Sequence, residues 1–202
     1  PGPVIISLPE DVLLDETNAP ALIPAIISQP KPNMDDILEI CDMLAIAKRP
    51  LIIAGGQIGG NKGRNLLRIV SETWNIPVAT AWRHQDLFNT NHPNFSCHLA
   101  FNMPPIFKDT LNESDLIIGI GTRLGDVVTQ GYKVPLAPQP IQKLIHIYND
   151  SKPLGNVFQT DLAIVADATT TLELIATINP PEVPEERLDW ISKAHALSAD
   201  RF

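Results

Sequence analysis

Five short apolar runs set the terms for this chain: LIIAGG from Leu51, PVATAW from Pro77, LIIGIG from Leu116, KLIHIY from Lys143 and LAIVAD from Leu162. They mostly lack the every-other-residue alternation of a strand with one wet face, and the stretches between them are long enough to cross back over a sheet. Strands that are apolar on both sides have to be covered on both sides. Sequential strands achieve this as a parallel sheet sandwiched between helices. The chain therefore reads as α/β: a Rossmann-like, doubly wound parallel sheet of about six strands with helices on both faces.

Helical signals fall where such a sheet needs them. Asn33 is a good N-cap, Asp35 and Asp36 place negative charge at a helix N-terminus, and Met34, Ile37, Leu38, Cys41, Leu44 and Ala45 keep helical spacing until Lys48, Arg49 and Pro50 end the run. Further helices are predicted at Lys62 to Trp74 and Thr169 to Thr177, with fainter ones at Pro104 to Leu111 and around Leu154. The organised body thus occupies 33–178. Before it, 1–32 opens on a strand-like Val4 to Leu8 that has no hairpin partner. It continues through Pro9, Pro20, Pro24, Pro30 and Pro32 as an extended linker, whose aliphatic residues suit a path along a surface. After the body, 179–202 is a proline-rich break and a helix predicted from Glu185 to Leu197, with the look of a bridge to further sequence.

Composition removes several classes of function. With 202 residues, 44% of them hydrophobic, the chain can bury one core of ordinary size. A net charge of −8 without a Lys/Arg run argues against a nucleic-acid surface. No apolar run approaches the roughly 20 residues that span a bilayer, so no membrane partner is expected. Cys41 and Cys97 are too few for a disulfide framework and fit a reduced, cytoplasmic setting.

In a doubly wound sheet ligands bind at the carboxyl ends of the strands, and two glycine turns lie there. Ala54-Gly55-Gly56-Gln57-Ile58-Gly59 approaches the G-x-G-x-x-G pattern with alanine in the first place. Gly119-Ile120-Gly121-Thr122-Arg123-Leu124-Gly125 has one residue too many before its last glycine. Such glycines either cradle a phosphate or simply let the chain turn and approach a neighbour; the turns alone leave both readings open. Thr122 and Arg123 stand just past a strand end, where a guanidinium can pair with phosphate or with a structural carboxylate. The second run ends at Trp82-Arg83, without the acid that holds a ribose in dinucleotide sites. His84, His92, Cys97 and His98 cluster in a segment that reads as a loop between strands, but their spacing matches no zinc pattern, so no metal site is expected. His146, inside an apolar run, reads as a hydrogen-bonded core histidine.

The order of these segments resembles one family. PGPVIISLPEDVL is similar to the end of the pyrimidine-binding domain of thiamine-diphosphate enzymes of the acetolactate synthase group, followed by their linker. AKRPLIIAGGQI, IPVATAWRHQDLFNTNHPNF, SDLIIGIGTRLGDVVTQGY, KLIHIYND and TDLAIVADATTTLELI are similar to successive strands of their central domain. That resemblance implies a parent lyase or transferase using thiamine diphosphate and Mg2+, a homodimer or homotetramer, in which 33–178 is the central domain. The pyrimidine- and diphosphate-binding domains on either side are its partners. It also implies that no catalytic residue lies here and that the fragment alone is inactive, because the activating glutamate and the G-D-G metal motif belong to those other domains, and no G-D-G occurs in this sequence.

In flavin-containing relatives the central domain holds FAD, in others ADP. The positions that match such a site are Gly55, Gly56, Thr80, Gly121, Thr122, Arg123 and Asp150. Ala54, Gly125, Val127 and Tyr148 depart from it, replacing respectively a glycine, an aspartate, an arginine and an acid, so any FAD or ADP binding is expected to be weak. Two other readings are a free-standing NAD(P)-binding oxidoreductase using the AGGQIG turn, and a sirtuin-like deacylase. The latter is excluded by the lack of paired C-x-x-C zinc ligands.

Overall fold

The computed structural model describes residues 3–101 and 103–199, except the side chains of residues 197–199; the outermost parts of the segments 1–32 and 179–202 lie outside the described residues. Helix α1, Met34–Ile46, starts with a capping box: Asn33 accepts the Asp36 amide at 2.7 Å and Asp36 accepts the Asn33 amide at 3.2 Å. Two of the amides left free at a helix start are thereby satisfied. Ile37, Ile40, Cys41 and Leu44 form its buried stripe, and the chain leaves the helix at Ala47 to enter the sheet at Pro50.

Five of the six strands fall on the five apolar runs: β1 Pro50–Ala54, β2 Val78–Thr80, β4 Leu116–Ile120, β5 Lys143–Tyr148 and β6 Leu162–Val165. The sixth, β3 Phe95–His98, lies in the segment that the sequence reads as a loop. That expectation is corrected. Ser96 and His98 interrupt any apolar run, and it is parallel pairing with β2 that makes these four residues a strand. The sheet order is β3-β2-β1-β4-β5-β6 with every neighbour parallel. A second correction concerns the helix expected around Leu154. Residues there form turns, because Pro153 and Gly155 flank the leucine and Gly155 adopts a left-handed φ of 69°.

Why the runs lack alternation is now plain. Ile52, Ile118, Ile145 and Ile147 face one layer, formed by α1, α2 (Gly60–Trp74) and α4 (Ala168–Ile175). Leu51, Ile53, Ile117 and Leu144 face the other, formed by α3 (Pro105–Glu113) together with the long β4–β5 loop and Phe158. Both faces of the central strands are dry, while edge strand β6 leaves Ala163 and Val165 exposed. At roughly 25 cal/mol per Å² of apolar surface removed from water, this two-sided burial is the main favourable term in the fold.

Helix α5, Glu185–Ala199, packs along edge strand β3 and α3. His195 Nδ1 donates to the Phe95 carbonyl at 3.2 Å and Trp190 Nε1 to the Pro50 carbonyl at 2.8 Å, so the helix covers an edge that would otherwise invite pairing with another strand. Val4 to Leu8 has no place in the sheet and is exposed, as are Leu22, Ile23, Ile26 and Ile27; the segment joins the body where the Asp167 amide donates to the Pro30 carbonyl at 2.8 Å.

Candidate functional site

Strand order reverses between β1 and β4. The chain leaves β1 toward β2 and β3 on one side, while β4 leads to β5 and β6 on the other, so the two departing loops separate and open a crevice at the carboxyl ends. Its volume is about 550 Å³. Gly55, Gly56 and Gln57 line it from the turn after β1, Trp82 and His84 from beyond β2, Gly121, Thr122 and Arg123 from the turn after β4, and Tyr148 from the end of β5. Among the described residues no carboxylate lines it, despite the chain's net charge of −8. Arg83 adds positive charge nearby, its guanidinium 4.0 Å from the centre of the Trp82 ring.

Gly55 and Gly121 are accounted for by the turns themselves. A Cβ on Gly55 would lie 2.5 Å from both the Gly121 carbonyl oxygen and the Thr122 Cβ, and Gly121 has φ +68°. The turns interlock. Gly55 N–H donates to the Ile120 carbonyl at 2.9 Å, Gln57 N–H to the Gly121 carbonyl at 3.1 Å and Ile58 N–H to the Gly55 carbonyl at 3.1 Å. Gly59 N–H, at the start of α2, is taken by the Thr169 hydroxyl at 3.2 Å. A phosphate-cradling turn presents such amides to its ligand, whereas here four of them already have acceptors within the chain.

The side chains tell a similar story. Thr122 spends its hydroxyl on the Leu124 amide at 3.2 Å, and its carbonyl accepts from His146 Nε2 at 2.9 Å. Burial holds the His146 pKa below the usual imidazole range, partly offset by that hydrogen bond, so the residue is a neutral anchor beneath the crevice. Exposed Arg123 donates from Nε to the Tyr148 phenol oxygen at 3.0 Å, and this bond is the main cause that raises its pKa further. Gln57 reaches across Gly121 to Asn149, accepting its amide at 3.1 Å and donating from Nε2 to its side-chain oxygen.

Five of the seven residues singled out from the sequence, Gly55, Gly56, Gly121, Thr122 and Arg123, meet in this crevice. Thr80 and Asp150 do not line it. Thr80 is buried with its hydroxyl 3.1 Å from His98 Nδ1, and exposed Asp150 accepts the Lys152 amide at 3.0 Å while contributing to the field at Arg123. Residues not singled out as ligands complete the walls: Gln57, Trp82, His84 and Tyr148. Their signal was positional, each lying within a few residues of a strand end. Gly125 and Val127, where the flavin-site resemblance puts an aspartate and an arginine, also line the crevice and bring no charge. With four backbone donors committed to the turns and two charged anchors absent, the residue set does not fit the diphosphate of FAD.

The histidine and cysteine cluster disperses. His92 bonds Glu72 at 3.0 Å and accepts the Asn94 amide at 3.0 Å, Cys97 is buried, and His98 meets Thr80. Among the described residues no group of three or more His, Cys, Asp or Glu side chains is placed to hold a metal ion, and no helix is long and apolar enough to cross a membrane.

Comparison with known proteins converges on one family. The family model described as "Thiamine pyrophosphate enzyme, central domain" matches residues 37–175. Similar proteins include the acetolactate synthase large subunit of Parasynechococcus marenigrum, 28% identical over all of this chain and 33% of the relative. A probable acetolactate synthase large subunit of Methanocaldococcus jannaschii is 31% identical over 98% of this chain and 34% of its own length, and another of Methanococcus aeolicus is 33% identical over 86% of this chain and 30% of its own. The chain spans about a third of the length of these relatives.

Proposed function

The chain belongs to the thiamine pyrophosphate enzymes, as their central domain, and from that premise we propose that it is the structural middle domain of an acetolactate synthase-like lyase or transferase. The interlocking of the AGGQIG and GIGTRLG turns supports this reading: it spends on the fold itself four amides of the kind a nucleotide-binding turn would offer. Nucleotide binding in the crevice is accordingly weak.

Thiamine diphosphate with Mg2+ supplies an electron sink for making and breaking carbon–carbon bonds beside a carbonyl. The residues of this chain do not fit that cofactor, since no G-D-G occurs in the sequence and the described acids do not cluster as metal ligands. The chain is therefore inert alone. Its partners are pyrimidine- and diphosphate-binding domains of the same polypeptide, within a cytoplasmic homodimer or homotetramer. The oxidoreductase reading has no observation in its favour, for the chain leaves β2 through Ala81, Trp82 and Arg83 without the carboxylate that would hold a ribose.

Calorimetric titration of the chain with thiamine diphosphate and Mg2+ tests the proposal. No specific heat and no acetolactate formation from pyruvate are expected. Saturable micromolar binding would overturn it.

A further inference from the structure

We propose that Tyr148 is an internal ligand of the crevice: its phenol engages Arg123 and, with the Gln57–Asn149 bridge, shuts out nucleotide diphosphates from a position that the fold would otherwise leave open. The inference rests on reading this crevice as the place where the family's central domain would take a nucleotide.

Both members of the first pair are held by rigid parts of the molecule. Tyr148 ends β5 and is 7% exposed; Ile147 before it pairs with Ile120 of β4, and its carbonyl accepts the Gly121 amide at 2.9 Å. That register sets the phenol beside the turn after β4. Arg123 is fixed from the other side, because Leu124 takes a left-handed φ of 51° and buries its side chain against Gly119. The guanidinium carbon then lies 5.9 Å from the centre of the Tyr148 ring, with Nε bonded to the phenol oxygen. The one cation of the GIGTRLG turn is thus drawn toward β5.

The second pair crosses the switch point. Gln57 belongs to the turn after β1 and Asn149 follows β5, so their two hydrogen bonds pass over the end of β4, where Gln57 Cβ would lie 3.2 Å from a Cβ on Gly121. A diphosphate bound across the switch point has to run along this line. To enter, it must break the bridge and detach Arg123, and four of the amides beneath, those of Gly55, Gln57, Ile58 and Gly59, already have acceptors within the chain.

The test compares the wild-type chain with Tyr148→Phe, Gln57→Ala and the double variant, titrating each with ADP and with FAD by calorimetry and checking the fold by circular dichroism. Tyr148→Phe keeps the ring and releases Arg123, so ADP should bind at least about tenfold tighter, the ratio lost with one hydrogen bond of ordinary strength to a charged group. Gln57→Ala should tighten it in the same direction, and the double variant should be tightest for both ligands. Adding Arg123→Ala to Tyr148→Phe should cancel the gain. Weaker or unchanged binding by Tyr148→Phe would overturn the proposal, as would wild-type chain binding FAD as tightly as the double variant. Should Tyr148→Phe fail to fold, Gln57→Ala decides alone, since unchanged ADP binding there contradicts the closing role. None of these outcomes touches the thiamine diphosphate titration, so the two proposals fail separately.

Discussion

Arg123 and Arg187 occupy opposite ends of the sheet, and they are treated in opposite ways. Arg187, on α5, is fully buried; its guanidinium donates to the carbonyls of Leu44 and Ala47 at the end of α1 and of Trp74 at the end of α2. No described carboxylate touches it. Two helix C-termini, with their unpaired carbonyls and negative dipole ends, replace the counter-ion, while burial pulls the arginine's pKa down and Asp115 nearby opposes that pull. Arg123 is exposed and has one neutral partner. At the amino end of the sheet a cation is built into the structure; at the carboxyl end it is only parked. The difference follows from the topology, since loops diverge at the carboxyl end and leave open space, whereas α1, α2 and α5 converge at the other.

The sharpest way to break this contrast is Arg187→Met, which leaves three buried carbonyls without a donor. A loss of about 3 kcal/mol or more is expected from the urea midpoint, given the usual cost of unsatisfied buried groups. Arg187→Lys should recover only part, because an ammonium cannot fork to two helix ends. Next comes Gly55→Ala, where a methyl group would collide with the backbone of the opposite turn. About 2 kcal/mol is expected, against no more than roughly 0.5 kcal/mol for Gly59→Ala, whose Cβ would meet nothing within 4 Å.

A smaller effect belongs to His146. Its folded pKa is depressed by burial, so the unfolded chain binds more protons below the ordinary imidazole value. Stability from this residue is therefore complete above about pH 6.5 and is lost as the pH falls toward the folded value, with a slope of at most about 1.4 kcal/mol per pH unit. Urea midpoints at pH 7.5 and 5.5 should differ less in His146→Gln than in the wild type. The smallest effect is expected of Arg123→Ala, within about 0.5 kcal/mol in the same assay, because an exposed side chain with one neutral partner contributes little to folding. A large loss there would erase the distinction between the two arginines.

Much of this was legible in the residues. Most of the five apolar runs became strands because burial on two faces demands apolar residues at every position, a demand visible locally; only edge strand β6 keeps one side exposed. Asn33 and Asp36 announced the start of α1 for the same reason, a cap being a contact between near neighbours in sequence. Strand β3 was not legible, since Phe95–His98 is a strand only through β2. Nor was the fate of the glycine turns. Whether Gly55 admits a phosphate or a neighbouring turn depends on what stands opposite, and Gly121 is 66 residues further along the chain.

The amino-acid sequence by itself determined the class of fold, the positions of most elements and the two strand-end turns where a ligand would be sought. These follow from burial, capping and backbone freedom, which act over a few residues. Only the tertiary structure decided how the turns use their donors, that Tyr148 faces Arg123, and that Arg187 closes the ends of two helices. Those are contacts between segments 25 to 143 residues apart, made by the packing of the sheet and its covering helices.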